Sequence, residues 1–351
     1  QIGLGFVLDA LSAPLTNPDI PKYAHNAIYD LVVMQRYGID VSPIGFDSML
    51  AEWVRDPISK FLGLKNFARQ ELKIYMTDIE ELIGKGKNQK TMADVAIDHA
   101  AKYAAADAVV TLKAVKYLQA ELDKDDYLSS KKVYHDIDIQ MIPIIADMQR
   151  KGVVVDVAFL NEMSERLALL IADLEKEIYD LSGQGEFNVN SPKQLSEILF
   201  DEDKLNLPKE GLNKTTHGFS TAQATLDILQ NEHPIIEKIS DYRELSKLKS
   251  TYVDALPELL NPKTGRVHTS YNQTGTSTGR FSSSNPNLQN IPIRTELGRE
   301  VRRAFVAPDG YKLLAVDYSQ IELRIMAHIS EDETLMRAFE EGQDIHQATA
   351  A

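Results

Sequence analysis

Residues 313–324, Leu-Leu-Ala-Val-Asp-Tyr-Ser-Gln-Ile-Glu-Leu-Arg, bring the carboxylates of Asp317 and Glu322, the amide of Gln320 and the guanidinium of Arg324 into one short stretch. The apolar run 313–316 reads as a short buried strand that ends on Asp317. Ile321, Ile325, His328 and Ile329 then recur at helical spacing, so a helix follows. A carboxylate fixed where a buried strand turns into a helix is a hard oxygen ligand on a rigid mount. Mg²⁺ takes one or two such carboxylates and fills its other positions with water and substrate phosphates. A helix-capping aspartate explains Asp317 but leaves Gln320, Glu322 and Arg324 without a reason.

Upstream lies Thr276-Ser-Thr-Gly-Arg280-Phe-Ser-Ser-Ser-Asn285-Pro-Asn287-Leu-Gln289-Asn290-Ile-Pro-Ile-Arg294, whose Gly, Ser, Pro and Asn predict loop for the most part. Its polar side chains, Arg280, Asn287, Gln289, Asn290 and Arg294, are donors. Donors aimed into the minor groove meet purine N3 and pyrimidine O2 acceptors whatever the base sequence, so they check pair geometry without reading it. A plain surface turn region has the same composition, and on composition alone the two readings weigh about evenly. The chain as a whole is acidic, with a formal net charge of −14 and pI about 5.1, which argues against nucleic-acid binding by bulk electrostatics. Between 263 and 303, however, Lys263, Arg266, Arg280, Arg294, Arg299, Arg302 and Arg303 are opposed only by Glu296 and Glu300, seven against two, a local charge of +5. One basic face on an acidic body suits a directed phosphate track; Arg302 and Arg303 read as flanks of a following strand.

The ordered octet Asp317-Tyr-Ser-Gln-Ile-Glu-Leu-Arg324 resembles the first catalytic motif of family A DNA polymerases, the bacterial DNA polymerase I type. The resemblance implies that Asp317 binds two Mg²⁺ ions at the polymerase site. It implies that Glu322 lies under the incoming sugar and excludes a 2′-OH, and that Gln320 and Arg324 support the primer terminus. Positions matching Arg280, Asn287, Gln289 and Asn290 contact template and primer in such enzymes, Arg294 lies near the primer or the active site, and His346 leans towards the nucleotide's phosphates. The family's nucleotide-binding fingers helix and its second metal-binding carboxylate follow later than Ala351. Two-metal phosphoryl transfer needs more than one fixed carboxylate, so these 351 residues alone are expected not to polymerise.

Near the start, Asn26-Ala-Ile-Tyr29-Asp30 and Tyr103-Ala-Ala-Ala-Asp107 resemble the second and third motifs of DEDD-type 3′–5′ exonucleases. Residues 22–34 read as a short strand entering a helix that Gly38 stops, and Tyr103 and Asp107 share a helix face at i and i+4. In such enzymes Asp30 and Asp107 hold metals and Tyr103 orients the attacking water. The first motif, Asp-x-Glu on a strand, is not found. Asp9 lacks the partner Glu, and no exonuclease activity is expected of this chain.

Residues 122–260 are helical in pattern. Ile137, Met141, Ile144 and Met148 form one stripe in a helix ended by Gly152. Asp156 caps a long helix carrying Leu160, Met163, Leu167, Leu170, Leu174, Ile178 and Leu181 and closed by Gly183. These stripes predict core packing, as an antiparallel helix pair. Arg243 and Lys247 share a face in a segment that resembles the family's thumb, whose matching residues touch duplex phosphates; a solvated basic face carries the same pattern. Zero cysteines exclude disulfides and Cys-ligated zinc, and no apolar run is long enough to span a membrane.

The expected fold class is an α/β and α+β multidomain chain: residues 1–122 a partial ribonuclease H-like 3′–5′ exonuclease domain, 123–262 a helical thumb, and 263–351 the first part of a polymerase palm. The function implied by the resemblance is a DNA-directed DNA polymerase in replication or repair. Its partners would be primer-template DNA and deoxynucleoside triphosphates, acting as a monomer in the bacterial cytoplasm. A stand-alone DEDD-type exonuclease leaves residues 263–351 unexplained. A non-catalytic duplex-binding fragment leaves Asp317, Gln320 and Glu322 unexplained.

Overall fold

In the computed structural model, which describes residues 3–216, 218–293 and 295–343, one buried carboxylate organises the start of the chain. Helix α1 (Leu4–Thr16) buries no side chain. Strand β1 (Lys22–Ala24), helix α2 (Ala27–Gln35), strand β2 (Ile44–Asp47) and helix α3 (Ser48–Arg55) follow, and the two strands pair in parallel with Ala24 opposite Asp47. Asp47, only 2% exposed, accepts from the amides of Ala27 (2.6 Å) and Asn26 (3.2 Å) and from those of Met49 (2.9 Å) and Leu50 (3.1 Å). One carboxylate thus satisfies the orphan donors at two helix N-termini, where its negative charge also meets both helix dipoles. The Asp47 amide in turn donates to the hydroxyl of the fully buried Tyr134 (2.8 Å).

Next come α4 (Leu64–Phe67), which runs on through a wide turn to Leu72, α5 (Ile79–Ile83), α6 (Ile97–Leu122), α7 (Leu128–Val133) and α8 (Ile139–Lys151). They close a first core of Leu31, Phe46, Leu50, Phe67, Leu118, Tyr134, Ile142 and Ile145, among others. Helix α8 does not bury the stripe its sequence suggests. Ile137 and Ile144 are 56% and 51% exposed, whereas Ile139, Ile142, Ile145 and Ala146 face the core. A π-helical turn, Tyr134–Asp138, leads into α8 and widens the helix, and the buried Tyr134 fixes which side faces inwards. With two apolar stripes at the same spacing, periodicity cannot choose between them. Gly152 ends the helix, as expected.

Strand β3 (Val154–Val155) leads into α9 (Val157–Ser182). The Asp156 carboxylate accepts from the Phe159 amide (3.0 Å), and Gly183 closes the helix in the left-handed region at φ 63°. Then come α10 (Pro192–Phe200), the hairpin β4 (Lys214–Thr215) and β5 (Gly218–Phe219), α11 (Gln223–Ile228), α12 (Ile235–Leu248) and α13 (Ala255–Glu258). The antiparallel pair expected between α8 and α9 does not form: α8 buries its face in the first core, and α9 instead packs antiparallel on α12, a partner that spacing within either stripe does not specify. Leu160, Met163 and Leu167 near the start of α9 share a core with Leu245 and Leu248 at the end of α12, while Ile178 near the end of α9 packs with Ile235, Ile236 and Ile239 at the start of α12. Truncating one such fully buried leucine costs about 2–5 kcal/mol.

The strands β6 (Leu260–Asn261) and β7 (Arg266–Val267) pair, as do β8 (Ser270–Asn272) and β9 (Ser282–Ser284), the latter with Ser270 opposite Ser284. Helix α14 (Glu296–Arg302) leads to β10 (Phe305–Val306), which pairs antiparallel with β3. These residues complete one unit, Gln1–Val306; a second, Ala307–Ala351, is separate. In the second unit α15 (Ile321–Ser330) forms where helix was expected, and α16 (Glu333–Glu340), which the sequence reading did not anticipate, follows it. The buried strand expected at 313–316 does not form. The segment is without regular structure, and Leu314 and Val316 are 86% and 85% exposed. A strand is completed by a neighbour's backbone and its apolar face by a covering layer, and no strand pairs with this run among the described residues.

Candidate active sites and nucleic-acid interface

The loop after β9 is held from several directions. The Asn287 carboxamide oxygen accepts from the Gln289 amide (3.0 Å) and the Ser283 hydroxyl (3.2 Å), and Ser283 in turn accepts from the Leu288 amide (2.8 Å). One Gln289 amide hydrogen goes to the Phe281 carbonyl (2.9 Å). The Tyr252 hydroxyl donates to the Asn290 carbonyl, and burial raises its pKa. The Arg302 guanidinium donates to the carbonyls of Ile291 (3.1 Å) and Pro292 (3.4 Å). The loop therefore owes its shape to the protein. Among the described residues, the Asn287 amide hydrogens and the second Gln289 amide hydrogen have no partner. A cleft of about 1150 Å³ runs along it, lined by Lys247 and Tyr252 on one side and Asn287, Gln289 and Asn290 on the other. Arg280 is exposed on the turn between β8 and β9, and Arg294 lies outside the described residues. The indole N–H of Trp53 on α3 donates to the Thr276 carbonyl (2.9 Å), and Tyr271 and Phe281 pack on the first core. The first domain is thereby bolted to the turn of this hairpin.

Arg243 and Lys247 do share a face of α12 and line one cleft of about 400 Å³. Their side chains differ in use. Lys247 is exposed, whereas the Arg243 guanidinium donates to the Thr221 carbonyl and to the Thr221 hydroxyl (3.2 Å). Burial pulls the pKa of Arg243 below the usual guanidinium value. Arg243 ties α12 to the preceding loop and leaves Lys247 as the outward charge.

The exonuclease-type residues converge. Asp30 from α2 and Tyr103 and Asp107 from α6 line a cleft of about 790 Å³ together with His25, Lys65 and Asp78. Loss of solvent, then the negative charge of Asp47, raises the Asp30 carboxyl pKa. Desolvation likewise raises that of Asp107, opposed by the charge of Lys65. Burial lowers that of His25, against the pull of Asp47, and its Nδ1 lies 2.9 Å from the Ser48 hydroxyl. Lys65 and Asp78 were not singled out in the sequence; neither belongs to a recognisable spacing with Tyr103 or Asp107.

In the second unit, Asp317 is exposed on the extended segment and Gln320, at φ 52°, starts α15 from the left-handed region. Glu322 occupies the first helical turn. The Arg324 Nε donates to the Ser319 carbonyl (2.9 Å), and its guanidinium lies 4.5 Å from the Phe339 ring centre. Asp317 lies in the irregular segment before α15, and Gln320, Glu322 and Arg324 lie at its start. His346 lies outside the described residues. No group of three or more histidine, aspartate or glutamate side chains suited to a metal ion occurs among the described residues. No described helix is long and apolar enough to cross a membrane.

Comparison with known proteins agrees with this division. Residues 2–123 match the 3′–5′ exonuclease family and residues 157–351 match DNA polymerase family A. DNA polymerase I of Chloroflexus aurantiacus is 47% identical over the whole chain, and thermostable DNA polymerase I of Thermus aquaticus is 53% identical over 62% of it. The chain spans 37% and the matched part 26% of those two relatives. A solved structure, the POL domain of Pol1 from M. smegmatis in complex with DNA primer-template and dNTP, superposes with a TM-score of 0.80 at 31% identity, covering 99% of this chain and 56% of that one. With a polymerase motif opening a helix, a pinned donor-rich loop and an exonuclease-type cleft preceding both, the chain belongs to DNA polymerase family A.

Proposed function

We propose that the chain supplies the exonuclease-like domain, the thumb and the first part of the palm of a DNA-directed DNA polymerase, which adds deoxynucleotides to a primer 3′-OH in replication or repair. The observation that carries this reading is the octet Asp317–Arg324, with its helix opening after Gln320, inside the segment that matches the polymerase family. The reading assigns 1–122 to the exonuclease-like domain, 123–262 to the thumb and 263–351 to the palm; the family matches over 2–123 and 157–351 support it.

Asp317 fits as one hard oxygen ligand of Mg²⁺, an exposed carboxylate open to water and phosphate. Bound there, two Mg²⁺ ions would activate the primer 3′-OH and neutralise the leaving pyrophosphate. The protein's own part is positioning. Glu322 bars a ribose 2′-OH, and Gln320 and Arg324 hold the site's shape. Arg280, Asn287, Gln289, Asn290 and Arg294 contact template and primer, donating to minor-groove acceptors without reading sequence. Lys247 meets a duplex phosphate, with Arg243 fixing the helix that carries it, and His346 approaches the nucleotide phosphates. Such an enzyme works on primer-template DNA and deoxynucleoside triphosphates in the bacterial cytoplasm, as a monomer.

A second reading, a duplex-binding module without chemistry, draws on the same loop and leaves Asp317, Gln320 and Glu322 unexplained. Nucleotide selection separates the two. In a polymerase of full family length containing this chain, Glu322→Ala should raise ribonucleotide incorporation by at least about 100-fold relative to deoxynucleotide, a change of about 3 kcal/mol in discrimination. Unaltered sugar selection would remove Glu322 from the nucleotide site.

A further inference from the structure

We propose that Trp53, in the exonuclease-like domain, is a positioning residue for Arg280 and acts through Thr276. The inference rests on the polymerase reading, in which Arg280 meets template and primer. Arg280 sits on the irregular turn 273–281 between β8 and β9. The turn folds back tightly: at Gly275 a Cβ would collide with the Ser282 hydroxyl, and Gly279 adopts the left-handed region at φ 82°. Thr276 is tied at both ends. Its carbonyl accepts from the Trp53 indole N–H (2.9 Å), and its hydroxyl donates to the Arg280 carbonyl (2.8 Å).

The donor stands on a rigid mount. Trp53 is 7% exposed on α3 and packs in the first core. Two further bonds hold the foot of the turn to α8 and the wide turn before it. The amide of the buried Gln273 donates to the Asp138 carbonyl (2.9 Å), and the Tyr271 backbone amide donates to the Gln149 side-chain oxygen (2.6 Å). The Trp53 bond reaches further along the turn, to the residue whose hydroxyl holds Arg280. Without the indole N–H, the Thr276 carbonyl turns to water and the turn gains conformations that binding DNA must then remove, at a cost in affinity. A Trp53 that served packing alone would instead lower the melting temperature, and its effect on DNA binding would be independent of Arg280.

A double-mutant cycle in a polymerase of full family length containing this chain tests this, read as dissociation constants for primer-template DNA. Trp53→Phe keeps a ring in the core and loses the N–H, and should weaken binding about fivefold. Arg280→Ala should weaken it about tenfold. Adding Trp53→Phe to Arg280→Ala should change binding by less than about twofold, because the contact that the indole positions is already gone. Thr276→Val should behave as Trp53→Phe does, and Thr276→Ser, which keeps the hydroxyl, should bind as wild type. Thr276→Val against Arg280→Ala supplies the same cycle where Trp53→Phe does not fold. Losses that add in the cycle would overturn the proposal and return Trp53 to packing. Wild-type binding by Trp53→Phe and Thr276→Val beside a weakened Arg280→Ala would overturn the proposal alone. Wild-type binding by Arg280→Ala would overturn both the proposal and the placing of Arg280 on DNA.

Discussion

At the scale of single residues, charge placement is the most telling property. Asp30 lies where lost solvent and the neighbouring Asp47 raise its pKa above the ordinary 3.8. A carboxyl that binds its proton more tightly in the native state costs stability as pH rises from its unfolded pKa through its native one, and the cost persists above. Asp30→Asn should therefore raise the melting temperature at pH 7 and leave it unchanged near pH 3, a dependence read from thermal melts across that range. An equal shift at both pH values would contradict it. The polymerase motif was legible because its residues are neighbours in sequence. Tyr103 and Asp107 were legible because a helix turn relates them. Lys65 and Asp47 were not, since their partners come from other elements and only folding brings them together. The pairing of Arg243 with Lys247 was read correctly as a shared face, but which of the two turns inwards depends on Thr221, distant in sequence.

At the scale of elements, helices were the readable part. The caps at Asp156, Gly152 and Gly183 follow from spacing and from local donor and acceptor needs, whereas the partner of α9 is α12 rather than the neighbouring α8 that the stripes suggested. Two failures share a cause. Helix α8 has two apolar stripes, and the chain's wide turn selected the less obvious one. The run 313–316 is apolar but has no strand beside it among the described residues. In both, the deciding partner lies outside the window that a pattern covers. The loop after β9 shows the converse: its composition says turn, while its rigidity comes from Tyr252 and from Arg302, which sequence gave no reason to connect with it. Arg302→Met should remove the clamp on the Ile291 and Pro292 carbonyls at a cost of about 1 kcal/mol. It should weaken primer-template binding roughly fivefold with little change in melting temperature. Fluorescence anisotropy of a labelled duplex measures this, and unchanged affinity would show that the loop holds its shape without Arg302.

At the scale of the whole molecule, a chain of net charge −14 is proposed to bind a polyanion through a limited basic face. Affinity should then fall with salt according to a small number of phosphate contacts, and Lys247→Ala should lessen the slope of log K against log salt by about 1. A slope indifferent to Lys247 would place the phosphate track elsewhere. The first domain is tied to the segment carrying that face by the hydrogen bond from the Trp53 indole to the Thr276 carbonyl. The central claim, that the Asp317 motif is a polymerase catalytic centre, is tested most directly by primer extension under single-turnover conditions with Asp317→Ala, in a polymerase of full family length that contains this chain. The account predicts that extension is abolished while the dissociation constant for primer-template stays within about twofold of wild type, since Asp317 serves phosphoryl transfer and not duplex affinity. Extension at the wild-type rate would contradict it.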